Sequence, residues 1–125
     1  MRSGANWSAG YQPTLRETQD YEAVFTESKA DLKRHDAGIF THMEIIVSTE
    51  DDAELRRLTI VNESTRPREI EITSYSEIVI TDQAADIAHP AFSNMFVETE
   101  FVDGQQTLLA RRRPRSASDS QIWAA

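Results

Sequence analysis

Hydrophobic and polar residues alternate with a period of two along most of this chain, which is the pattern of β-strands whose two faces differ. In residues 39–48, every second side chain is suited to a core: Ile39, Thr41, Met43, Ile45 and Val47. Residues 54–62 alternate as well, but both of their faces mix polar and apolar side chains. The pattern therefore predicts two strands, the second with one face only partly covered.

The clearest alternation lies in residues 69–80. All the isoleucines and serines there share one face, and the three glutamates lie on the other face. Such a segment predicts a strand whose isoleucine face meets a core and whose other face meets water or another layer. The isoleucines expected to be buried there are Ile70, Ile72, Ile78 and Ile80. Truncation of Ile72 should then be costly.

Two turn sequences divide the alternating segments into hairpins. Asp36-Ala37-Gly38 supplies turn chemistry, and Asp103-Gly104 is the strongest two-residue hairpin signal in the chain. These turns join residues 29–35 to 39–48 and residues 96–102 to 107–113. A short strand is also predicted at residues 22–25, within an otherwise loop-like N-terminal part. Residues 82–89 should form one helical turn that Pro90 ends.

Composition strengthens the prediction of strands. Isoleucine and valine together number sixteen against six leucines, and eleven threonines add to the β-branched excess. We therefore expect an all-β fold, an antiparallel β-sandwich with little helix. A length of 125 residues predicts a single domain over residues 1–125. The serine-rich residues 115–121 are expected to be a mobile segment.

Charge and cysteine content indicate which partners are disfavoured and which cellular compartment is expected. The chain has 13 basic and 21 acidic side chains, a net charge of −8, which disfavours nucleic acid as a partner. It has no cysteine, which suits a reducing, cytoplasmic compartment. No apolar run approaches the ~20 residues of a membrane-spanning helix, so we expect no direct membrane insertion.

Carboxylates at strand spacing are the first candidate for catalysis. Glu98 and Glu100 share a strand face, with Cα atoms about 6–7 Å apart. A glycosidase needs two carboxyl groups at roughly 5–10 Å. A solvated strand face explains the pair more simply, because Glu69 and Glu71 repeat the same spacing. We therefore predict no catalytic residue.

Metal ligands are present but poorly arranged. One turn is crowded with acidic side chains: Glu50, Asp51, Asp52 and Glu54. It lacks the glycine and the regular ligand spacing of a calcium loop. The histidines are His35, His42 and His89. The first two flank one hairpin, but a zinc site needs a third ligand that the sequence does not identify. We therefore predict no metal and no cofactor.

Basic and aromatic side chains are the remaining candidates for binding. The cluster Arg111-Arg112-Arg113-Pro114-Arg115 lacks the interleaved aromatics of a base-stacking surface, so salt bridges to the domain's own glutamates or to a neighbouring domain explain it better. Flat aromatic rings can stack on sugars or pack between domains. The candidates for either role are Trp7, Tyr11 and Trp123.

Several strings in the chain resemble a known family. They are residues 6–14 (NWSAGYQPT), 21–25 (YEAVF), 50–59 (EDDAELRRLT), 68–77 (REIEITSYSE), 84–93 (AADIAHPAFS) and 112–115 (RRPR). The chain resembles the β-supersandwich region of the cyclic β-1,2-glucan synthases. This region is similar to the N-terminal domain of cellobiose phosphorylase, in glycoside hydrolase family 94, formerly glycosyltransferase family 36. The string His89-Pro90-Ala91-Phe92 is the most specific part.

The resemblance implies a module rather than an enzyme. In that family the supersandwich packs against a helical (α/α) barrel, and the barrel holds the acid that protonates the glycosidic oxygen. No position of this sequence matches the motif of that acid. The resemblance also implies β-glucan and a helical-barrel domain as partners, and attachment of the full-length protein to the bacterial inner membrane. The family's supersandwich is larger than this chain, and the apolar end Ile122-Trp123-Ala124-Ala125 suggests a fragment.

Three functions remain open on the sequence alone. The first is a non-catalytic, carbohydrate-associated β-sandwich domain that supports a helical-barrel catalytic domain. The second is a self-sufficient glycoside-active enzyme that uses paired carboxylates. The third is a purely structural or oligomerising β domain with no sugar affinity. Separately, a fragment of a larger sandwich is expected to self-associate through exposed strand edges.

Overall fold

The structure of the chain is a computed structural model that describes residues 4–18, 20–114 and 122–124, with only the backbone described for Ser93 and for residues 122–124. The chain divides into two compact units, residues 1–71 and residues 72–125. Each unit has its own antiparallel sheet. This confirms the all-β class with little helix.

The first unit is a four-stranded meander in which the strands pair in chain order. Its strands are β1 (Tyr21–Phe25), β2 (Lys29–Asp36), β3 (Ile39–Val47) and β4 (Glu54–Asn62). The strands predicted from the alternation at residues 29–35, 39–48 and 54–62 are confirmed to within one residue. β1 and β4 are the two edges of this sheet.

The turn between β2 and β3 explains their register. Ala37 and Gly38 both have positive φ, 50° and 80°, which is the geometry of a two-residue turn that matches the twist of paired strands. A Cβ atom on Gly38 would also lie 3.4 Å from the Cβ of Ser64. This is ordinary van der Waals contact, so glycine suits the position because of its positive φ rather than for lack of space. The predicted hairpin at Asp36-Ala37-Gly38 is confirmed.

The core of the first unit lies at one end of one sheet face. Ile39 is 0% exposed and Thr41 is buried beside it. Along the same face Met43 and Ile45 are half-buried, and Val47 is exposed. The side chains expected to share one face of β3 do so, and their burial falls along the strand.

The second unit begins with two short helices and continues as a three-stranded sheet in the order β5-β6-β7. Its elements are α1 (Gln83–Ala88), α2 (Pro90–Asn94), β5 (Val97–Val102), a 3₁₀ turn (Asp103–Gln105), β6 (Thr107–Arg112) and β7 (Ile122–Ala124). The predicted helical turn is α1. Pro90 ends it and then begins α2, because the first position of a helix needs no N–H donor.

The hairpin between β5 and β6 is confirmed, but its turn is built differently from the Asp103-Gly104 signal. Gln106 adopts the left-handed conformation, with φ of 50°, and its N–H donates to the Asp103 carbonyl at 3.2 Å. The chain reverses through a 3₁₀ turn plus one left-handed residue rather than through a two-residue turn at the glycine.

The strand predicted at residues 69–80 is wrong. Residues 67–80 have no regular secondary structure, and no described strand pairs with them. Ile70 is exposed and Ile72 is 65% exposed, whereas Ile78 is half-buried and Ile80 is buried. Alternation makes a segment compatible with a strand, but a strand forms only where a neighbour completes its backbone hydrogen bonds. Truncation of Ile72 is therefore expected to cost little.

The remaining predictions about organisation stay predictions. Residues 115–121, expected to be mobile, lie outside the described residues. A single domain over residues 1–125 is likewise untested. Within the described ranges, no helix is long and apolar enough to cross a membrane.

Truncation of the two isoleucines at opposite ends of β3 should separate the core from the surface. Ile39→Ala removes a fully enclosed side chain and should lower the free energy of unfolding by about 2–5 kcal/mol. Ile46→Ala, on the same strand but exposed, should cost about 1 kcal/mol or less. Urea denaturation measures both variants, and equal losses would contradict this assignment of the core.

Candidate functional site

A buried ion pair fastens the N-terminal part of the chain to the first sheet. The Arg34 guanidinium donates from Nε and Nη2 to the two carboxylate oxygens of Asp36, at 2.5 and 2.9 Å. Its Nη1 donates to the Gly10 carbonyl at 2.8 Å, and Nη2 also reaches the Arg16 carbonyl at 3.2 Å. The two side chains are only 1% and 4% exposed. Arg34 therefore holds the backbone on both sides of residues 11–15.

The strand geometry of β2 allows this ion pair to form. Arg34 and Asp36 are two residues apart, so both project from the same face as Ala30 and Leu32. A buried guanidinium is tolerated when a carboxylate neutralises it and acceptors take its remaining protons. In the described part of the chain, no buried side-chain nitrogen or oxygen lacks a hydrogen-bond partner. The pair is therefore fully satisfied in its buried position.

Residues 8–16, here called the N-terminal loop, are closed by a second set of bonds. Ser8 N–H donates to Thr14 Oγ1 and Thr14 N–H donates to Ser8 Oγ, both at 3.1 Å, and the two hydroxyl oxygens are 3.0 Å apart. Within the loop, Leu15 N–H donates to the Tyr11 carbonyl at 2.9 Å. These bonds bring the two ends of the loop together independently of Arg34.

The three aromatic candidates fall into different environments. Trp7 is half-buried, and its indole N–H points to Thr41 Oγ1 at 3.5 Å. Tyr11 is 48% exposed at the N-terminal loop. Trp123 belongs to β7 in the second unit, and its side chain lies outside the described residues. The structure thus places Trp7 and Tyr11 in one segment and leaves their sugar-stacking or interdomain role a prediction.

The opposite face of the first sheet carries a network of ion pairs. Glu44 receives the Arg57 guanidinium from Nε and Nη2 at 2.5 Å and the Lys29 ammonium at 2.8 Å. Lys29 also lies 3.1 Å from Asp31, whose carboxylate is 2.9 Å from His42 Nε2. The register places Asp31, Glu44 and Arg57 side by side on three neighbouring strands. The network thus ties β2, β3 and β4 together across their surface.

This network contains metal-type ligands, but a lysine already neutralises them. Ligand atoms of Asp31, His42 and Glu44 lie within 4.8 Å of one another, the one such group among the described residues. The Lys29 ammonium sits against both carboxylates, where a cation would be held. His35 is not part of the group, because it is bound to Asp20 at 2.5 Å and to Glu63 at 3.3 Å. The arrangement is that of an ion-pair network.

The ion pairs shift the pKa values of the two carboxylates. Hydrogen bonds from Arg57 and then Lys29 lower the pKa of Glu44 to about 2. Hydrogen bonds from His42 and then Lys29 lower the pKa of Asp31 from its ordinary value. Both shifts arise because nearby donors and positive charges favour the ionised carboxylate. Neither carboxyl is suited to donate a proton at neutral pH.

On β5, Glu98 of the candidate carboxylate pair forms ion pairs with arginine side chains. Arg111 donates from Nε and Nη2 to Glu98 at 2.7 Å, and Arg113 Nη1 lies 3.9 Å from the same carboxylate. Glu98 and Glu100 line one open depression of about 450 Å³ on this sheet. The prediction that the basic cluster pairs with the domain's own glutamates is confirmed for Arg111 and Arg113. Arg115 lies outside the described residues.

The acidic turn before β4 is held by backbone bonds rather than arranged around a cation. Ser48 Oγ accepts from the N–H groups of Glu50 and Asp51 at 3.2 and 3.1 Å. Glu54 pairs with Arg56 two residues along the strand. The acidic side chains of the turn are solvent-exposed.

Arg34 and Asp36 were not among the candidate residues that the sequence pattern indicated. One signal was available, because both share the face of β2 that carries Ala30 and Leu32, where a charged residue is unexpected. Their partners, the carbonyls of Gly10 and Arg16, carry no sequence signal at all, since every residue has such a group. The buried pair is therefore visible only once the N-terminal loop is in place.

Acid should weaken the first unit through Glu44. Its pKa is depressed in the folded chain to about 2 from an ordinary value of 4.5. Its ion pairs therefore contribute stability that is fully present above about pH 4.5 and is lost as the pH falls towards about 2. Urea denaturation at a series of pH values should show this loss. Glu44→Gln should be less stable at neutral pH and should lose less stability on acidification.

Arg57→Gln provides the matched variant for that experiment. It leaves Glu44 with Lys29 alone, so the pKa of Glu44 should rise and the acid-induced loss should begin at a higher pH. If Glu44→Gln lost stability with acid as steeply as the unmodified chain, the network would not be the cause.

Comparisons with known proteins place the chain in a family. The family model for the glycosyl hydrolase 94 supersandwich domain matches residues 1–125. Over 123 residues the chain is 36% identical to the cyclic beta-(1,2)-glucan synthase NdvB of Rhizobium meliloti (strain 1021), covering 98% of this chain and 4% of that protein. Over 82 residues it is 29% identical to the solabiose phosphorylase of Paenibacillus borealis, covering 66% of this chain and 11% of that protein.

No solved structure matches the chain at a significant level. The chain spans only a small part of the length of either relative. The family match nevertheless covers every residue and agrees with the antiparallel sheets. The chain belongs to the glycosyl hydrolase 94 family, as a supersandwich domain.

Proposed function

We propose that this chain is a non-catalytic, carbohydrate-associated supersandwich module of a β-glucan-active synthase or phosphorylase, where it supports a helical-barrel catalytic domain. The observation that carries the proposal is the family match over residues 1–125, together with the 36% identity to a cyclic β-1,2-glucan synthase. The printed activities of the relatives belong to proteins many times longer than this chain, so the module contributes to such an activity rather than performing it alone.

The placement of the acidic side chains supports a non-catalytic role. A general acid must be protonated and within hydrogen-bond reach of the leaving oxygen, which usually requires a dry or negatively charged environment. Glu98 instead accepts two hydrogen bonds from Arg111, so its carboxylate is already paired with a guanidinium on the sheet surface. Glu100 is exposed on the same strand face. The pair is therefore better suited to a surface ion pair than to acid–base catalysis.

Exposed apolar side chains support a role next to another domain. Phe101 and Leu108 lie directly opposite each other on β5 and β6, and both are more than half exposed. A contiguous apolar surface of this kind is commonly covered by a partner. The cytoplasmic location expected from the absence of cysteine belongs to the same proposal.

The isolated chain should catalyse no glycoside chemistry. The purified chain would be incubated with β-1,2- and β-1,4-linked glucans, with and without phosphate. We expect neither glucose 1-phosphate nor new reducing ends, because the acid–base machinery would reside in the barrel. Turnover that disappears in Glu98→Gln or Glu100→Gln would overturn the module proposal and favour a self-sufficient enzyme.

The free edge of β4 favours a second function, self-association of the chain. β4 is the last strand of its sheet in the described structure and carries exposed apolar side chains at Leu55, Leu58 and Val61. An unpaired apolar edge offers backbone donors and acceptors to another strand. We therefore propose that the isolated chain pairs through this edge until another part of a larger protein covers it.

A charge on β4 should prevent this association. Leu55→Lys should shift the equilibrium towards monomer in sedimentation velocity measured over a range of protein concentrations. Ile72→Lys is the matched control, since Ile72 is as exposed as Leu55, at 65%, but lies in residues 67–80, which form no strand. A monomeric unmodified chain at all concentrations, or equal effects of both variants, would contradict pairing through β4.

A further inference from the structure

We propose that the N-terminal loop presents Tyr11 as a preformed contact for one sugar ring of a neutral glucan, and that Arg34 is the positioning residue that holds this loop in shape. The inference rests on the proposed function, because it identifies the surface through which the module would meet carbohydrate. It separates Tyr11 from Trp7, which was an equal candidate on the sequence alone.

The loop is fastened more firmly than an ordinary surface loop. Arg34 binds the carbonyls of Gly10 and Arg16, which lie on either side of Tyr11. The reciprocal bonds between Ser8 and Thr14 close the same segment from outside. Fixing a loop before it binds removes the entropy that ordering would otherwise cost. A surface loop held by a buried guanidinium is therefore suited to presenting its exposed side chains to a ligand.

The two aromatic residues near the loop have separate roles. The half-buried Trp7 bonds to Thr41 through its indole N–H, so its ring is part of the packing between the N-terminal segment and the sheet. Tyr11 is nearly half exposed, and no described hydrogen bond occupies its hydroxyl group. Its backbone carbonyl accepts a hydrogen bond from Leu15 N–H, so the backbone at Tyr11 is held within the loop. Tyr11 is therefore the aromatic residue that this loop displays.

The chemistry around Tyr11 fits a neutral, hydroxylated ligand. A tyrosine ring offers an apolar face to the C–H groups of a sugar and a hydroxyl to its oxygens. The adjacent Gln12 is exposed and supplies an amide that can both donate and accept. The exposed apolar side chains, Tyr11 and Leu15, are too few for a protein interface, which needs about 800 Å² on each partner. The net charge of −8 disfavours an anionic ligand.

The proposal is tested by titrating the full chain with linear β-1,2-linked gluco-oligosaccharides. Two-dimensional amide NMR spectra, recorded at each step, measure the binding. We expect saturable shifts at residues 8–16. Tyr11→Ala should weaken binding by about two- to tenfold, and Tyr11→Trp should retain it. Tyr75→Ala is the matched control, because Tyr75 is similarly exposed, at 55%, but belongs to the second unit. It should bind like the unmodified chain.

The positioning role of Arg34 is tested with a measurement that would not change if Arg34 only stabilised the fold. Arg34→Met should increase amide hydrogen exchange at residues 8–16 and weaken glucan binding while Tyr11 is still present. If this variant does not fold, the double variant Ser8→Ala, Thr14→Val opens the loop without touching the buried ion pair. Weaker binding in that variant, with the sheet amides still protected, would show that binding depends on the closed shape of the loop that Arg34 also holds.

The inference is overturned by shifts that fall outside the loop, by no saturable shifts, or by a Tyr11→Ala variant that binds as well as the unmodified chain. It is also overturned if opening the loop leaves the affinity unchanged. These outcomes are distinct from failure of the proposed function, which would appear as turnover by the isolated chain. A chain without turnover and without glucan binding would still be a supporting module.

Discussion

The first unit depends on the burial of one charged pair, Arg34 with Asp36. An isolated guanidinium would not remain buried here, because the free energy lost with its hydration would exceed the free energy gained from packing. The carboxylate of Asp36 neutralises it, and the carbonyls of Gly10 and Arg16 accept its other protons. Replacing such a pair by apolar side chains can preserve stability. Apolar side chains could not bind those carbonyls, however, so the N-terminal loop would lose its attachment.

Because Arg34 attaches the N-terminal loop to only one face of the first sheet, the two faces are stabilised in different ways. One face is covered at one end by the N-terminal segment, with Ile39 and Thr41 buried beneath it. The other face remains near solvent and is linked by ion pairs around Glu44, which is itself poorly exposed. Because Glu44 is buried, its ion pairs contribute to stability, whereas the more exposed pairs around it contribute little and mainly keep the strands in register. β4 is an edge of this sheet in the described structure.

The sequence predicted the strands of the first unit because their pairing is local. Residues 29–35, 39–48 and 54–62 are joined by short turns, and the Ala37-Gly38 turn determines which residues pair. Residues 69–80 had the strongest alternation and form no strand in the described structure. Alternation reports which side chains would share a face, whereas a strand also needs a partner for its backbone. That partner is not encoded within the segment.

The resemblance in the sequence was sufficient for the family, and the alternation was sufficient for the all-β class, since both depend on residues close together along the chain. Only the tertiary structure decided that Trp7 packs while Tyr11 is displayed, and that Arg34 belongs to the interior. It also decided that the Lys29 ammonium lies against both Asp31 and Glu44. These outcomes depend on backbone carbonyls and side chains from distant segments. Their positions are determined only when the sheet forms and the N-terminal segment closes over it.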